Sequence, residues 1–124
     1  MSEKKIRGGS LIARALRDKG IENVFTLSGG FCNPALEGLM ECQIDVINCP
    51  HEQIAGHIAD GHTRITRKPA VCLVGPEGFA NAVPSMMEAW GERSPVIFIT
   101  GSSSLRRQGS GGSVSYTHLR AHET

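Results

Sequence analysis

One carboxylate in this chain stands where proton chemistry is easily arranged. Glu52 follows the run Val46-Ile47-Asn48-Cys49-Pro50 and His51, and it precedes a helical pattern, so it sits where a strand gives way to a helix. Unpaired backbone N–H groups and the positive end of the helix hold a negative side chain in place there. A carboxyl so held can act as a general acid or base. Three glycine-rich turns, Ser28-Gly29-Gly30, Gly75-Pro76-Glu77-Gly78 and Gly101-Ser102-Ser103-Ser104, are further places where the backbone can bend sharply.

Other chemistries fail on spacing. His51 and His57 are six residues apart and His57 and His62 five, whereas a helical zinc site needs two imidazoles at i and i+4 on one face, so no metal ligand is assigned. Neither glycine cluster has the G-x-G-x-x-G order or the Lys-Ser or Lys-Thr of a phosphate loop. No Ser or Cys lies in a G-x-S-x-G elbow, which leaves acyl transfer without support.

The elements that must position Glu52 alternate along the chain. Ser10 can cap a helix to Lys19 with Leu11, Ile12, Ala15 and Leu16 at helical spacing, and Gly20 stands at the left-handed position that ends it. Asn23-Val24-Phe25-Thr26-Leu27 reads as a strand, and Asn33 and Pro34 as the cap and first residue of a second helix carrying Leu36, Leu39 and Met40. A strand at Ile44–Asn48 leads to a helix over Gln53–Thr66. Its Ile54, Ile58 and Ile65 share one side, while Gly56, Ala59 and Gly61 permit a close approach.

Ala70–Val74 has the continuous apolar character of a strand covered on both faces. After the Gly75–Gly78 turn, a helix over Phe79–Glu92 is expected to bury Phe79, Val83, Met86, Met87 and Trp90, and Val96–Thr100 reads as another buried strand. This order predicts right-handed βαβ units: an α/β, three-layer fold with a parallel sheet flanked by helices. Ligands in such sheets lie at the carboxyl ends of the strands, so the glycine turns and Pro50–Glu52 should gather on one edge.

Composition narrows the function. The 124 residues are enough for one domain, with 40% apolar and 20% charged residues. A net charge of +1 and 5% aromatic residues give no reason to expect nucleic acid or an anionic membrane as partner. Neither a signal peptide nor a membrane span is expected, and Cys32, Cys42, Cys49 and Cys72 lack C-x-x-C spacing, which suits free thiols in a reducing cytoplasm. Beyond residues 1–112 the character changes; residues 113–124 look like a foreign, disordered, adapter-like string and carry no weight here.

Laid out in this way, the chain resembles the N-terminal pyrimidine-binding domain of thiamine-diphosphate enzymes of the acetolactate synthase and benzaldehyde lyase type. The likeness covers about Gly8 to Gly112. It rests on the Gly29-Gly30 loop, His51-Glu52-Gln53 with Ala59-Asp60-Gly61 and Arg64, Gly75-Pro76 to Gly78 with Asn81, and Ser94-Pro95 to Gly101. The turn Val74-Gly75-Pro76-Glu77-Gly78 is shorter and reordered against the usual Ser-Gly-Pro-Gly pattern, and Ser28 stands where many relatives have Pro.

The resemblance implies that Glu52 hydrogen-bonds a ring nitrogen of the cofactor's aminopyrimidine and relays a proton to it. By the same likeness Gly29, Gly75, Gly78 and Asn81 are cofactor-binding, and Ser28 and Phe31 face the substrate. The implied cofactor is thiamine diphosphate, with Mg²⁺ held by a domain this chain lacks. The implied substrates are 2-oxo acids, aldehydes or 2-hydroxy ketones, handled by a homodimer or homotetramer as a carboligase, lyase or decarboxylase. The residues alone also allow a stand-alone α/β module that binds a nucleotide or a partner without catalysis.

Overall fold

The computed structural model describes residues 6–102, 104 and 106. The expected foreign segment 113–124 lies outside the described residues. The elements are α1 (Gly8–Asp18), β1 (Asn23–Thr26), a 3-10 turn (Gly30–Cys32), α2 (Asn33–Glu41), β2 (Asp45–Asn48), α3 (Glu52–Thr66), β3 (Ala70–Val74), α4 (Pro76–Gly91) and β4 (Val96–Thr100). Their four strands form one parallel sheet in the order β2-β1-β3-β4. Phe25 pairs with Ile47 on one side and Cys72 on the other, and Cys72 pairs with Phe98. The chain therefore reverses its direction of travel across the sheet between β1 and β3, the point at whose carboxyl ends sheets of this kind bind ligands.

The pleat divides the core. Val24, Val71 and Leu73 turn to one side and pack with Ala13 and Leu16 of α1 and Leu39 of α2. Phe25, Cys72 and Val74 turn to the other and pack with Ala55 and Ala59 of α3 and Ala82 of α4. Every residue of β3 is buried, as its unbroken apolar run predicts. Thr26, itself fully buried, donates its hydroxyl to the Leu73 carbonyl at 2.6 Å, so the polar atom inside the sheet is satisfied.

Helix contacts depend on missing side chains. A Cβ on Gly38 would lie 2.6 Å from the Gly9 carbonyl oxygen and 2.9 Å from Ser10 Cα, so α1 and α2 cross backbone to backbone. On the other layer a Cβ on Gly56 would lie 2.6 Å from Ser85 Cβ, which brings α3 and α4 together. The close approach expected of the small residues in α3 is thus real at Gly56. At Gly61 it is not, since a Cβ there meets nothing within 4 Å.

Five boundaries or faces differ from the sequence reading. Ser10 and Asn33 lie inside their helices, where Arg7 and Cys32 occupy the N-cap positions. Gly75–Gly78 is no free turn: Gly75 is the N-cap of α4, and Pro76, Glu77 and Gly78 form its first turn, where a proline costs no hydrogen bond. Of the expected buried stripe of α4, Phe79 packs partly buried against the core, but Val83, Met87 and Trp90 face outward, Trp90 82% and Met87 63% exposed, while Gly78, Ala82, Ser85 and Ala89 are buried. Both faces of this helix are apolar, and the small one wins because it lets the helix lie closer to the sheet and to α3. Likewise β4 is a half-exposed edge strand, with Ile97 43% exposed.

Helix ends repeat one device. After α1, Gly20 at φ 76 lets its own N–H reach the Arg17 carbonyl and the Ile21 N–H reach the Leu16 carbonyl. The same pair of bonds ends α2 at Gln43 (φ 56) and α4 at Arg93 (φ 56), where a Cβ is strained. Gln43→Gly is therefore expected to stabilise the fold by about 0.5–1 kcal/mol, the relief of strain exceeding the added freedom of the unfolded chain; urea titration checks it.

Asp60 is buried, and Arg64 binds it one turn on while also reaching Glu88 of α4 and Glu92, the C-cap of that helix. Burial opposes the charged carboxylate, but hydrogen bonds from Arg64 and Ser94 outweigh it and hold the carboxyl below its ordinary value of 3.8. A depressed carboxyl contributes stability above its unfolded value and loses it as pH falls through the folded one. Stability is thus expected to decline on acidification below about pH 4. In Asp60→Asn this part of the pH dependence should vanish from a series of urea midpoints.

The four cysteines are free thiols. Burial, with Cys49 and Glu52 adding to it, pushes the Cys72 thiol up to about 12. Cys42, only half-buried, should be the first to react with a thiol reagent at neutral pH, and Cys72 should react only after unfolding. Among the described residues no helix is long and apolar enough to cross a membrane.

Candidate functional site

The exits of all four strands lie along one edge, as parallel pairing requires. From β2 the chain passes through Cys49, whose N–H donates to the Thr26 carbonyl at 2.6 Å, and reaches α3 with Glu52 as its first residue. From β3 it passes Gly75 directly into α4. These two helix starts meet. Asn81 Nδ2 donates to Glu52 Oε2 at 3.1 Å, and a Cβ on Gly78 would lie 2.5 Å from Glu52 Cγ. Gly78 is therefore glycine because the Glu52 side chain lies across it.

The half-buried Glu52 thus has a wall at Gly78, one donor at Asn81 and the start of α3 beneath it. Asn81 occupies Oε2, and Oε1 has no hydrogen-bond donor among the described residues. One carboxyl oxygen is thereby available to a ligand that presents an N–H or a ring nitrogen sharing a proton. The glycines at the exits of β1 and β3 leave their backbone open. Cβ atoms on Gly29 and Gly30 would meet nothing within 4 Å, and on Gly75 only the Glu77 carboxylate at 3.6 Å.

The expected site residues fall into two groups. Glu52, Gly78 and Asn81 are in direct contact, and Gly75 leads into them. Ser28, Gly29 and Phe31 follow β1 on the same edge, with no hydrogen bond to Glu52 among the described residues. Ser28 N–H is accepted by Asn48 Oδ1 at 3.2 Å, which ties the exits of β1 and β2. Phe31, 44% exposed, lies against the end of β4, where a Cβ on Gly101 would be 2.9 Å from Phe31 Cβ.

Sequence reasoning missed Asn48 and the capping ring of His51. Both are polar residues at a strand exit, and that placement was the available signal. Glu77 also enters here, beside Gly75 and within electrostatic reach of Cys32.

The chain matches the family model described as "Thiamine pyrophosphate enzyme, N-terminal TPP binding domain" over residues 6–122. It is similar to an acetolactate synthase large subunit of Mycobacterium tuberculosis, 36% identical over 115 residues, which cover 92% of this chain and 21% of that protein. It is also similar to 2-hydroxyacyl-CoA lyase 2 of Danio rerio, 34% identical over 106 residues, covering 84% of this chain and 17% of that one. In fold it resembles the thiamine diphosphate-dependent 4-hydroxybenzoylformate decarboxylase of Rhodococcus jostii, with a TM-score of 0.78 at 22% identity, over 86% of this chain and 20% of that one. The chain thus spans about a fifth of the length of the curated relatives it matches.

An aminopyrimidine fits the donor set, since the carboxyl offers one open oxygen to its N–H or ring nitrogen. With the sheet order, the paired helix starts and the family match in agreement, this chain belongs to the N-terminal TPP-binding domains of thiamine pyrophosphate enzymes.

Proposed function

We propose that this chain is the pyrimidine-binding part of a thiamine-diphosphate-dependent enzyme that makes or breaks a carbon–carbon bond next to a carbonyl. The observation that carries the reading is the Glu52 carboxyl, gripped by Asn81 through one oxygen and open at the other, on the edge where such sheets bind ligands. Glu52 exchanges a proton with a ring nitrogen of the pyrimidine, and Asn81 and Gly78 keep its carboxyl aimed while that proton moves. When bound, the cofactor supplies an electron sink for the bond being cleaved or formed. Gly29 and Gly75 let the backbone approach it, and Ser28 and Phe31 line the substrate side.

The substrates are small 2-oxo acids, aldehydes or 2-hydroxy ketones, the class to which acetolactate synthases, lyases and decarboxylases point. Mg²⁺ and the diphosphate are held by a domain outside this chain, in a cytoplasmic homodimer or homotetramer. Two features support assembly. Glu52 is only half-buried by its own chain. The outer faces of α3 and α4 also expose Ile54, Ile58, Ile65, Val83, Met87 and Trp90, an apolar patch of the kind that interfaces cover.

The test is to sequence the gene across the position of Ser113, express whatever reading frame continues, and assay pyruvate consumption with thiamine diphosphate and Mg²⁺. Cofactor-dependent product formation supports the proposal. A stop codon directly after Thr124, with no continuation, would leave a binding module instead.

A further inference from the structure

Of the four longer helices, α3 begins differently. The N-cap residues of α1, α2 and α4 are Arg7, Cys32 and Gly75, and none of them makes a side-chain cap. At α3 the cap is His51, in extended backbone conformation (φ −158, ψ 147), and its Nδ1 accepts the Gln53 N–H at 3.1 Å. The His51 carbonyl accepts the Ala55 N–H at 3.0 Å, so both ends of this residue are tied to the first turn. Glu52 lies between these two bonds.

An imidazole nitrogen that accepts a backbone N–H does so through a lone pair, and this places the ring's N–H on Nε2. A second proton would turn the acceptor into a donor facing another donor, and it would add positive charge to the positive end of the helix. The nearby titratable groups are Glu52 itself and His57, whose Nε2 lies 3.4 Å from Gln53 Nε2. Across the gap, α4 presents Gly78 and Asn81 to Glu52, and neither titrates.

We propose that His51 is a positioning residue for Glu52: its ring, accepting at Nδ1, pins the first turn of α3, and so holds the carboxyl against Gly78 and within reach of Asn81. The proposal rests on the functional reading for what Glu52 does, and on the cap geometry for how it is held.

The experiment uses the ¹⁵N-labelled 124-residue chain without cofactor. Imidazole nitrogen shifts should show His51 as the Nε2–H tautomer at neutral pH. His51→Phe, which keeps a ring and removes the acceptor, should speed exchange of the Gln53 amide roughly tenfold, within the range measured for lost N-caps. His51→Asn should restore protection, since asparagine caps well and does not titrate. An Nδ1–H tautomer, or equal Gln53 exchange in the native and Phe chains, overturns the proposal. None of these readouts needs cofactor, so a failed cap is distinguishable from a failed functional reading, which rests on turnover alone.

Discussion

Glu52→Gln is expected to cut turnover of the parent enzyme by about a hundredfold or more, the scale on which positioned proton transfer acts. The amide matches the carboxyl in size, and its oxygen can still accept from Asn81 Nδ2, so the start of α3 and the wall at Gly78 should stay as they are. What the amide cannot do is take up and return a proton. The loss should therefore appear in kcat, with the thermal midpoint of the protein nearly unchanged. Asn81→Ala leaves the proton in place and loosens its aim, so a smaller fall of about tenfold is expected, comparable to one hydrogen bond to a charged group. Steady-state kinetics on both variants separate the roles, and unchanged turnover in Glu52→Gln would remove the proposed function.

The second large effect concerns folding. Gly38→Ala is expected to destabilise the domain by about 3 kcal/mol or more, at the upper end of overpacking costs. The added methyl would lie 2.6 Å from the Gly9 oxygen, 2.7 Å from the Gly9 carbonyl carbon and 2.9 Å from Ser10 Cα, all backbone atoms of α1. A side chain could rotate away, but a helix backbone moves only as a body. Shifting α1 would pull Ala13 and Leu16 out of the core they share with Leu39 and Val24. Gly61→Ala is the control, because its methyl would meet nothing, and helix propensity alone should stabilise the chain by up to about 1 kcal/mol. Urea unfolding of the two variants beside the native chain tests the pair; a Gly38→Ala chain within about 1 kcal/mol of native would show that the helix crossing gives way.

Strands were the most legible part of the sequence. Ala70–Val74 and Val96–Thr100 have the boundaries their apolar runs predict, because a short β-prone run between breakers has few other ways to pair. The start of α4 was less legible. Gly75-Pro76-Glu77-Gly78 has turn composition, yet proline suits the first helical turn equally well, and composition cannot choose between them. Glu52 could be placed at a helix start from local pattern. Its contacts could not, since Gly78 and Asn81 come from another helix and meet it only once β2 and β3 lie in the same sheet.

The sequence by itself determined the alternation of strands and helices, the parallel sheet that follows from it, and the edge on which Glu52 and the glycines gather. Local propensity and chain chirality suffice for those. Tertiary structure alone decided which faces of α3 and α4 turn inward. Both helices carry a large apolar face opposite a small one, so periodicity is satisfied either way. Close packing settled the choice, because Gly56 against Ser85 and Gly78 against Glu52 allow an approach that isoleucine, methionine and tryptophan would prevent.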